Sequence, residues 1–183
     1  MKSVLSRLTA LVAALCLAAS FAVAAPTEGA QSVSKSVRKA LVMLPYFGVF
    51  DNLEYSIAAD GTVTLSGQVV RPTTKSDAEY SVKRVKGVSR VVNRIEVLPL
   101  SSFDDSIRVS AYRTIFNTGG LYRYAAGTNP SLHIVVNRGH LTLEGVVANE
   151  GDKQLAYLAA RTVPGAFSVT NNLRTDAEQR RIG

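Results

Sequence analysis

The sequence predicts an α+β fold of two tandem α-β-β-α-β modules, each a three-stranded mixed sheet with two helices on one face. Three observations predict it. The chain aligns with itself without gaps at one offset, pairing Gly61 with Gly139, Leu65 with Leu143, Gly67 with Gly145, Lys75 with Lys153, Ala78 with Ala156, Gly87 with Gly165 and Asn93 with Asn171. A repeat with only two copies reads as tandem domains, not a solenoid. Within each copy, apolar residues recur first at helical spacing, then every second residue, then at helical spacing again. Glycines stand where a hairpin turns and where a helix stops.

In the first copy, Val37, Ala40, Leu41 and Leu44 form an apolar helical stripe, with Ser34 as the expected cap and Pro45 ending or kinking the helix. Leu53, Tyr55 and Ile57, then Val63, Leu65, Gly67 and Val69, alternate with polar residues on either side of Asp60-Gly61, predicting a hairpin. Asp77 to Val85 reads as a second helix, with Ala78, Val82 and Val85 inward, and Val88 to Val97 as one final strand. The second copy repeats this with a helix from about Ser106 to Phe116 (Ile107, Ala111 and Ile115 inward) and arms His133 to Val136 and His140 to Val147 about Arg138-Gly139. A helix from Gln154 to Val163 and a strand from Ser168 to Leu173 follow. Its opening helix is followed by an extra stretch, Asn117 to Pro130, rich in Gly and Tyr and read as a loop. A hairpin pairs antiparallel, whereas strand–helix–strand makes a right-handed parallel crossover, so each sheet is mixed. The boundaries expected are 34–98 and 104–174 for the modules, 99–103 for a short linker and 175–183 for a C-terminal tail. Modules of this size bury only about 60% of their unfolded surface, so packing of one on the other would help both.

The N-terminus predicts the compartment. Lys2 and Arg7 precede an apolar run from Leu8 to Phe21, and Ala22-Val23-Ala24 is a small-x-small site. This is the order of a secretory signal peptide spanning 1–24, with a flexible lead over 25–33. A retained anchor is the alternative, but the run is shorter than the roughly 18 residues a spanning helix needs. Leu15 precedes Cys16 and apolar residues follow it, which places Cys16 within the signal rather than at a lipidation site. The mature chain then has no disulfide and no thiolate metal site. Removing Lys2 and Arg7 lowers the formal charge from +7 to +5. A basic envelope protein is attracted to anionic headgroups. Nucleic acid is not an expected partner in that compartment.

Asp60-Gly61-Thr62-Val63-Thr64-Leu65-Ser66-Gly67, Ala78, Val85-Lys86-Gly87-Val88 and Val91-Val92-Asn93-Arg94-Ile95 resemble the BON domain (bacterial OsmY and nodulation). The second copy resembles it more loosely, through Gly139, Leu141-Thr142-Leu143-Glu144-Gly145, Ala156, Val163-Pro164-Gly165-Ala166 and Val169-Thr170-Asn171-Asn172-Leu173. It departs at Ala166 and in the inserted stretch. The resemblance implies a periplasmic or secreted lipid-binding or chaperone-like protein without catalytic residues. The motif residues read as structural. Gly61 and Gly139 serve the turns, Gly67 and Gly145 permit a close approach in mid-strand, and Gly87 and Gly165 end helices. Asn93 and Asn171 satisfy backbone groups.

No catalytic constellation is expected. His133 and His140 lie on opposite arms of one hairpin, and two ligands are too few for a closed zinc site; the first copy has Tyr55 and Thr62 at those places, and solvent-facing roles are expected. Asp104 and Asp105 read as a helix cap and dipole partner. No serine sits in a G-x-S-x-G elbow, and Gly119-Gly120 lacks the Lys-Ser or Lys-Thr of a phosphate loop. No cofactor is expected. Surface chemistry remains. Lys35, Arg38 and Lys39 stand beside Val42 and Met43. Arg108 and Arg113 stand beside Tyr112 and Phe116, followed by Tyr122, Arg123 and Tyr124. Cations beside aromatic rings suit an anionic lipid interface. Tyr112 and Phe116 alternatively pack on the loop or on the neighbouring module. The expectation is an exported, non-enzymatic binder of anionic phospholipid, with the second copy facing the membrane. The alternatives are a stress-related chaperone or scaffold for other envelope proteins, and a small-ligand module. The oligomeric state is left open.

Overall fold

The structure, a computed structural model, describes residues 28–127 and 129–182. The expected signal and its cleavage site lie outside them. The first module runs α1 (Glu28–Val42), β1 (Asn52–Ile57), β2 (Thr62–Val69), α2 (Pro72–Lys83), β3 (Arg90–Asn93) and β4 (Glu96–Val97). The second runs α3 (Ser102–Phe116), a short 3-10 helix (Leu121–Tyr124), β5 (Leu132–Asn137), β6 (His140–Val147), α4 (Glu150–Ala160), β7 (Ser168–Asn171) and β8 (Arg174–Thr175), and α5 (Asp176–Ile182) closes the chain. In each sheet the second hairpin strand is central. β2 is antiparallel to β1 and parallel to β3 and β4; β6 is antiparallel to β5 and parallel to β7 and β8. The α+β fold and its two repeated mixed sheets match the sequence expectation.

Element ends differ from the pattern for local reasons. α1 begins at Glu28, so residues 28–33 are helical and Ser34 lies inside the helix instead of capping it. α2 begins at Pro72, not Asp77: Arg71 is extended and proline sits in the first turn, which its fixed φ suits. Its first turn is polar and gave no apolar signal. α3 is capped by the Ser101 hydroxyl, which accepts from Asp104 N. α4 is capped by Asn149, whose side chain accepts from Asp152 N. The expected tail at 175–183 instead adds a short strand and a helix; Thr175 is buried, and Lys153 reaches Glu178.

The single last strand expected in each copy is split in two. Gly67 and Gly145 have φ of +103° and +109°, open to glycine but strained for other residues. A Cβ there would lie 2.2 Å from the Asn52 carbonyl oxygen or 2.1 Å from that of Ser131. The parallel neighbour of the central strand breaks beside this point. Asn93 bridges the break. Its amide donates to the Lys75 and Glu79 oxygens on α2, and its Oδ1 accepts from Ile95 N. Asn171 does the same between Lys153 and Leu173. The asparagines therefore tie strand to helix.

The two cores are unequal. Module 1 buries a cluster of 9 apolar residues centred on Val37, Val63 and Leu65, whereas module 2 buries 17. The difference comes partly from the insert. Leu121 and Tyr124 enter the core from the 3-10 helix, so the stretch read as a loop is an organised part of the domain. The Tyr124 hydroxyl donates to Asp152 and accepts from Ala148 N, while Arg123 pairs with Asp152.

Candidate membrane-facing surface

Module 1 sits on module 2 through its α1–β1 loop. Ile134 N, on the free edge of β5, donates to the Val49 carbonyl at 2.7 Å. His133 stacks on Phe47 at 5.3 Å and is within hydrogen-bond distance of the Gly48 carbonyl. The loop is tied by buried Asp51, whose carboxylate accepts from Gly48 N and Val70 N. Burial holds the Asp51 carboxyl above its ordinary range, against the pull of those hydrogen bonds and of Arg71 and Arg108. Burial also lowers the pKa of His133, against the carbonyls of Gly48, Asp51 and Pro130, which favour the cation. His133 is thus not the solvent-facing residue expected. Nor does it face His140, because the register pairs His133 with Glu144 and His140 with Asn137. The second hairpin is shifted in register by one residue relative to the first, so the counterpart of His133 in module 1 is Glu54, paired with Ser66, and not Tyr55.

Packing within module 2 and at the junction removes part of the expected lipid surface. Arg108 is 3% exposed. Its guanidinium donates to the Val136 carbonyl and to Asp105, fastening α3 to β5. Phe116 is buried and meets Tyr112 edge-on, and Tyr112 in turn meets Phe50 of module 1 edge-on. Arg108 and Phe116 are therefore packing residues, and Tyr112 is half committed to the junction. Arg108 and Phe116 are held by partners within their own module, and Tyr112 alone of the three meets the other copy through Phe50. Arg113 and Tyr122 remain exposed, and Arg113, Tyr112, Val109 and Phe50 line a shallow apolar hollow of about 240 Å³. Arg123 is partly exposed but engaged by Asp152. Asp104 is no helix cap. Its carboxylate is buried and accepts from Arg138 N and Gly139 N, clamping the hairpin turn.

Lys35, Arg38 and Lys39 lie on the surface, as expected. Helical spacing puts them opposite buried Val37 and Leu41; all three are exposed, and none forms an ion pair among the described residues. Met43, 70% exposed, follows them, and exposed Tyr46 carries the Arg71 guanidinium 4.9 Å above its ring. Module 1 is the more basic copy, with ten Lys and Arg against six Asp and Glu over residues 34–98, compared with seven against five over 104–174.

A different surface opens where the solvent faces of the two sheets meet. Asn52, Glu54, Ser66 and Gln68 face Glu144, Asn172 and Arg174 across an open cleft of about 500 Å³. The Glu144 carboxyl is pushed up, first by burial and then by the charge of Glu54, while the Asn172 amide and Arg174 act the other way. The cleft is acidic and polar, unsuited to an anionic headgroup.

The BON domain family matches residues 30–99 and 124–177, together more than half of the chain. The chain is a tandem BON-domain protein. BON domains are non-catalytic and are linked to membrane or phospholipid binding. The second match begins beyond α3, the helix whose face is reshaped by docking. No curated protein matches the chain. Among solved structures, the chain is similar to the C-terminal domain of CdsD, the structural protein of the Type III secretion system of Chlamydia trachomatis. Identity is 11% over 76% of this chain and 94% of that one, with a TM-score of 0.31. A second CdsD structure gives 11% identity over 82% and 96%, again with a TM-score of 0.31. Likeness at this level bears on neither arrangement nor function. No helix among the described residues is long and apolar enough to cross a membrane.

Proposed function

We propose that this BON protein is an exported, non-enzymatic binding protein of the cell envelope that attaches peripherally to anionic phospholipid membranes, with the solvent face of α1 as its main contact. The carrying observation is the cluster Lys35, Arg38 and Lys39, exposed and unpaired among the described residues, beside exposed Met43 and the Tyr46–Arg71 pair. The cations meet headgroup phosphates at roughly 1 kcal/mol each near the surface, while the thioether and the ring reach the headgroup layer. This moves the expected contact from the second copy to the first.

A stress-related chaperone or scaffold is the second reading. It draws on β3 and β7, each paired on one side only among the described residues, which leaves edges able to accept another strand. Co-sedimentation of residues 25–183 with neutral and anionic vesicles, at low and high salt, separates the two. Binding confined to anionic vesicles and weakened by salt supports attachment through α1. Absence of binding to either vesicle, with suppression of client aggregation, would replace it by the scaffold reading.

A further inference from the structure

The hairpin tip of module 2 carries an aromatic pair that the fold does not require. Phe103, on the first turn of α3, and Phe167, in the α4–β7 turn, are 47% and 70% exposed, with ring centroids 5.5 Å apart. The platform is ordered by its surroundings. Phe167 N donates to the Gly139 carbonyl, and His140 meets the Phe167 ring edge-on while bonding Ser168. Asp104 clamps the turn below them.

Module 1 builds the corresponding tip, with a longer hairpin turn, without these groups. Ser89 N donates to the Gly61 carbonyl as Phe167 N does to Gly139, and Ser89 lies against Gly61 as Phe167 lies against Gly139. Gly87 faces Val33 as Gly165 faces Ile107, so the residue one helical turn earlier, Phe103 in module 2, is Gly29 in module 1. Asp60 and Thr62 occupy the places of Arg138 and His140. Between the copies, then, one tip exchanges a carboxylate for a guanidinium and two small residues for two exposed phenylalanines. Arg138 even holds a φ of +52°, a conformation uncommon for a residue with a side chain. Each change favours a surface that is anionic outside and apolar beneath.

We propose that this tip is a second lipid contact, in which Phe103 and Phe167 enter the headgroup layer of an anionic bilayer while Arg138 meets a phosphate. The inference rests on the membrane reading above and adds the module 2 site to it. The chain contains no tryptophan, so Phe167→Trp introduces a single reporter, and Ser89→Trp places the same reporter on the equivalent turn of module 1. Each variant of residues 25–183 is mixed with anionic vesicles whose acyl chains carry bromine. The expected result is a blue shift and quenching for Phe167→Trp and neither for Ser89→Trp. Replacing both phenylalanines by serine should weaken partitioning roughly tenfold or more, as loss of buried aromatic area requires. Vesicle binding that leaves the Phe167→Trp indole unshifted and unquenched overturns the tip contact, leaves attachment through α1 standing and points the pair toward a protein partner. Failure of the unsubstituted chain to bind anionic vesicles overturns both.

Discussion

Equivalent strands of the two modules live in different surroundings. In β1, Glu54 and Ser56 point to water, whereas their counterparts in β5, His133 and Val135, are 8% and 5% exposed, with His133 against Phe47 of module 1. One strand is half wet, and the other is buried on both faces. The difference teaches that copies of one module diverge where one copy lies on the other. The covered strand replaces a carboxylate and a hydroxyl by an imidazole and a valine, and the covering copy keeps its cations outward.

The comparison is broken most forcefully at the mid-strand glycines. Gly145→Val places a side chain against the Ser131 carbonyl at a φ of +109°. It should cost about 4 kcal/mol or more, unfold the larger core and release module 1. Gly67→Val should disorder module 1 while module 2 stays folded. Amide hydrogen exchange resolved by module checks both; equal loss of protection in the two variants would refute the asymmetry. Next in size, Tyr124→Phe leaves Ala148 N without its acceptor and removes a donor from Asp152. It should destabilise the chain by about 1–3 kcal/mol in denaturant unfolding, although module 1 lacks the corresponding insert.

Acid should sharpen the comparison further. The docked state lowers the pKa of His133 by burial, so docking binds fewer protons than the separated state. The His133 contribution is complete above the ordinary histidine value of 6.5 and falls as pH drops below it. Asp51 has the opposite sign. Its carboxyl is raised by burial, so its contribution is present below the ordinary value of 3.8 and declines as pH rises through the raised one. The two groups act in opposite directions as pH falls, and a His133 substitution isolates the histidine's part. Melting followed against pH is expected to show a falling midpoint below about 6.5, and His133→Gln to flatten it. The smallest effect belongs to Glu96→Gln, which weakens an exposed contact of 3.4 Å from Asn137 across the junction. It should change the melting free energy by less than about 0.5 kcal/mol.

Much of the fold was legible because period two and helical spacing report burial within a module, and the glycines of copy one recur in copy two. Helix starts were less legible at Pro72 and Ser102, where capping geometry rather than apolar spacing sets the boundary. The surface was legible only where a residue answers to its own module. Lys35, Arg38 and Lys39 stand opposite a stripe in the same helix, and their exposure follows from spacing. Arg108, Phe116 and His133 are buried through the neighbouring copy or through contacts across the sheet, which spacing along one element does not encode. The tip formed by Phe103 and Phe167 joins a helix start to a distant turn, and its signal lay in a comparison of the copies, where Ser89 stands for Phe167.

Charge reversal on α1 tests the central claim most directly. Anionic vesicles at low salt would be titrated against residues 25–183 carrying Lys35→Glu, Arg38→Glu and Lys39→Glu together, and separately Arg113→Glu on α3. Loss of three cations alone should cost roughly 3 kcal/mol and the added carboxylates more, so partitioning should fall about a hundredfold or further, while the α3 variant stays within a few-fold of the unsubstituted chain. Binding unaffected by the α1 reversal and abolished by Arg113→Glu would contradict the account and return the membrane contact to the second module.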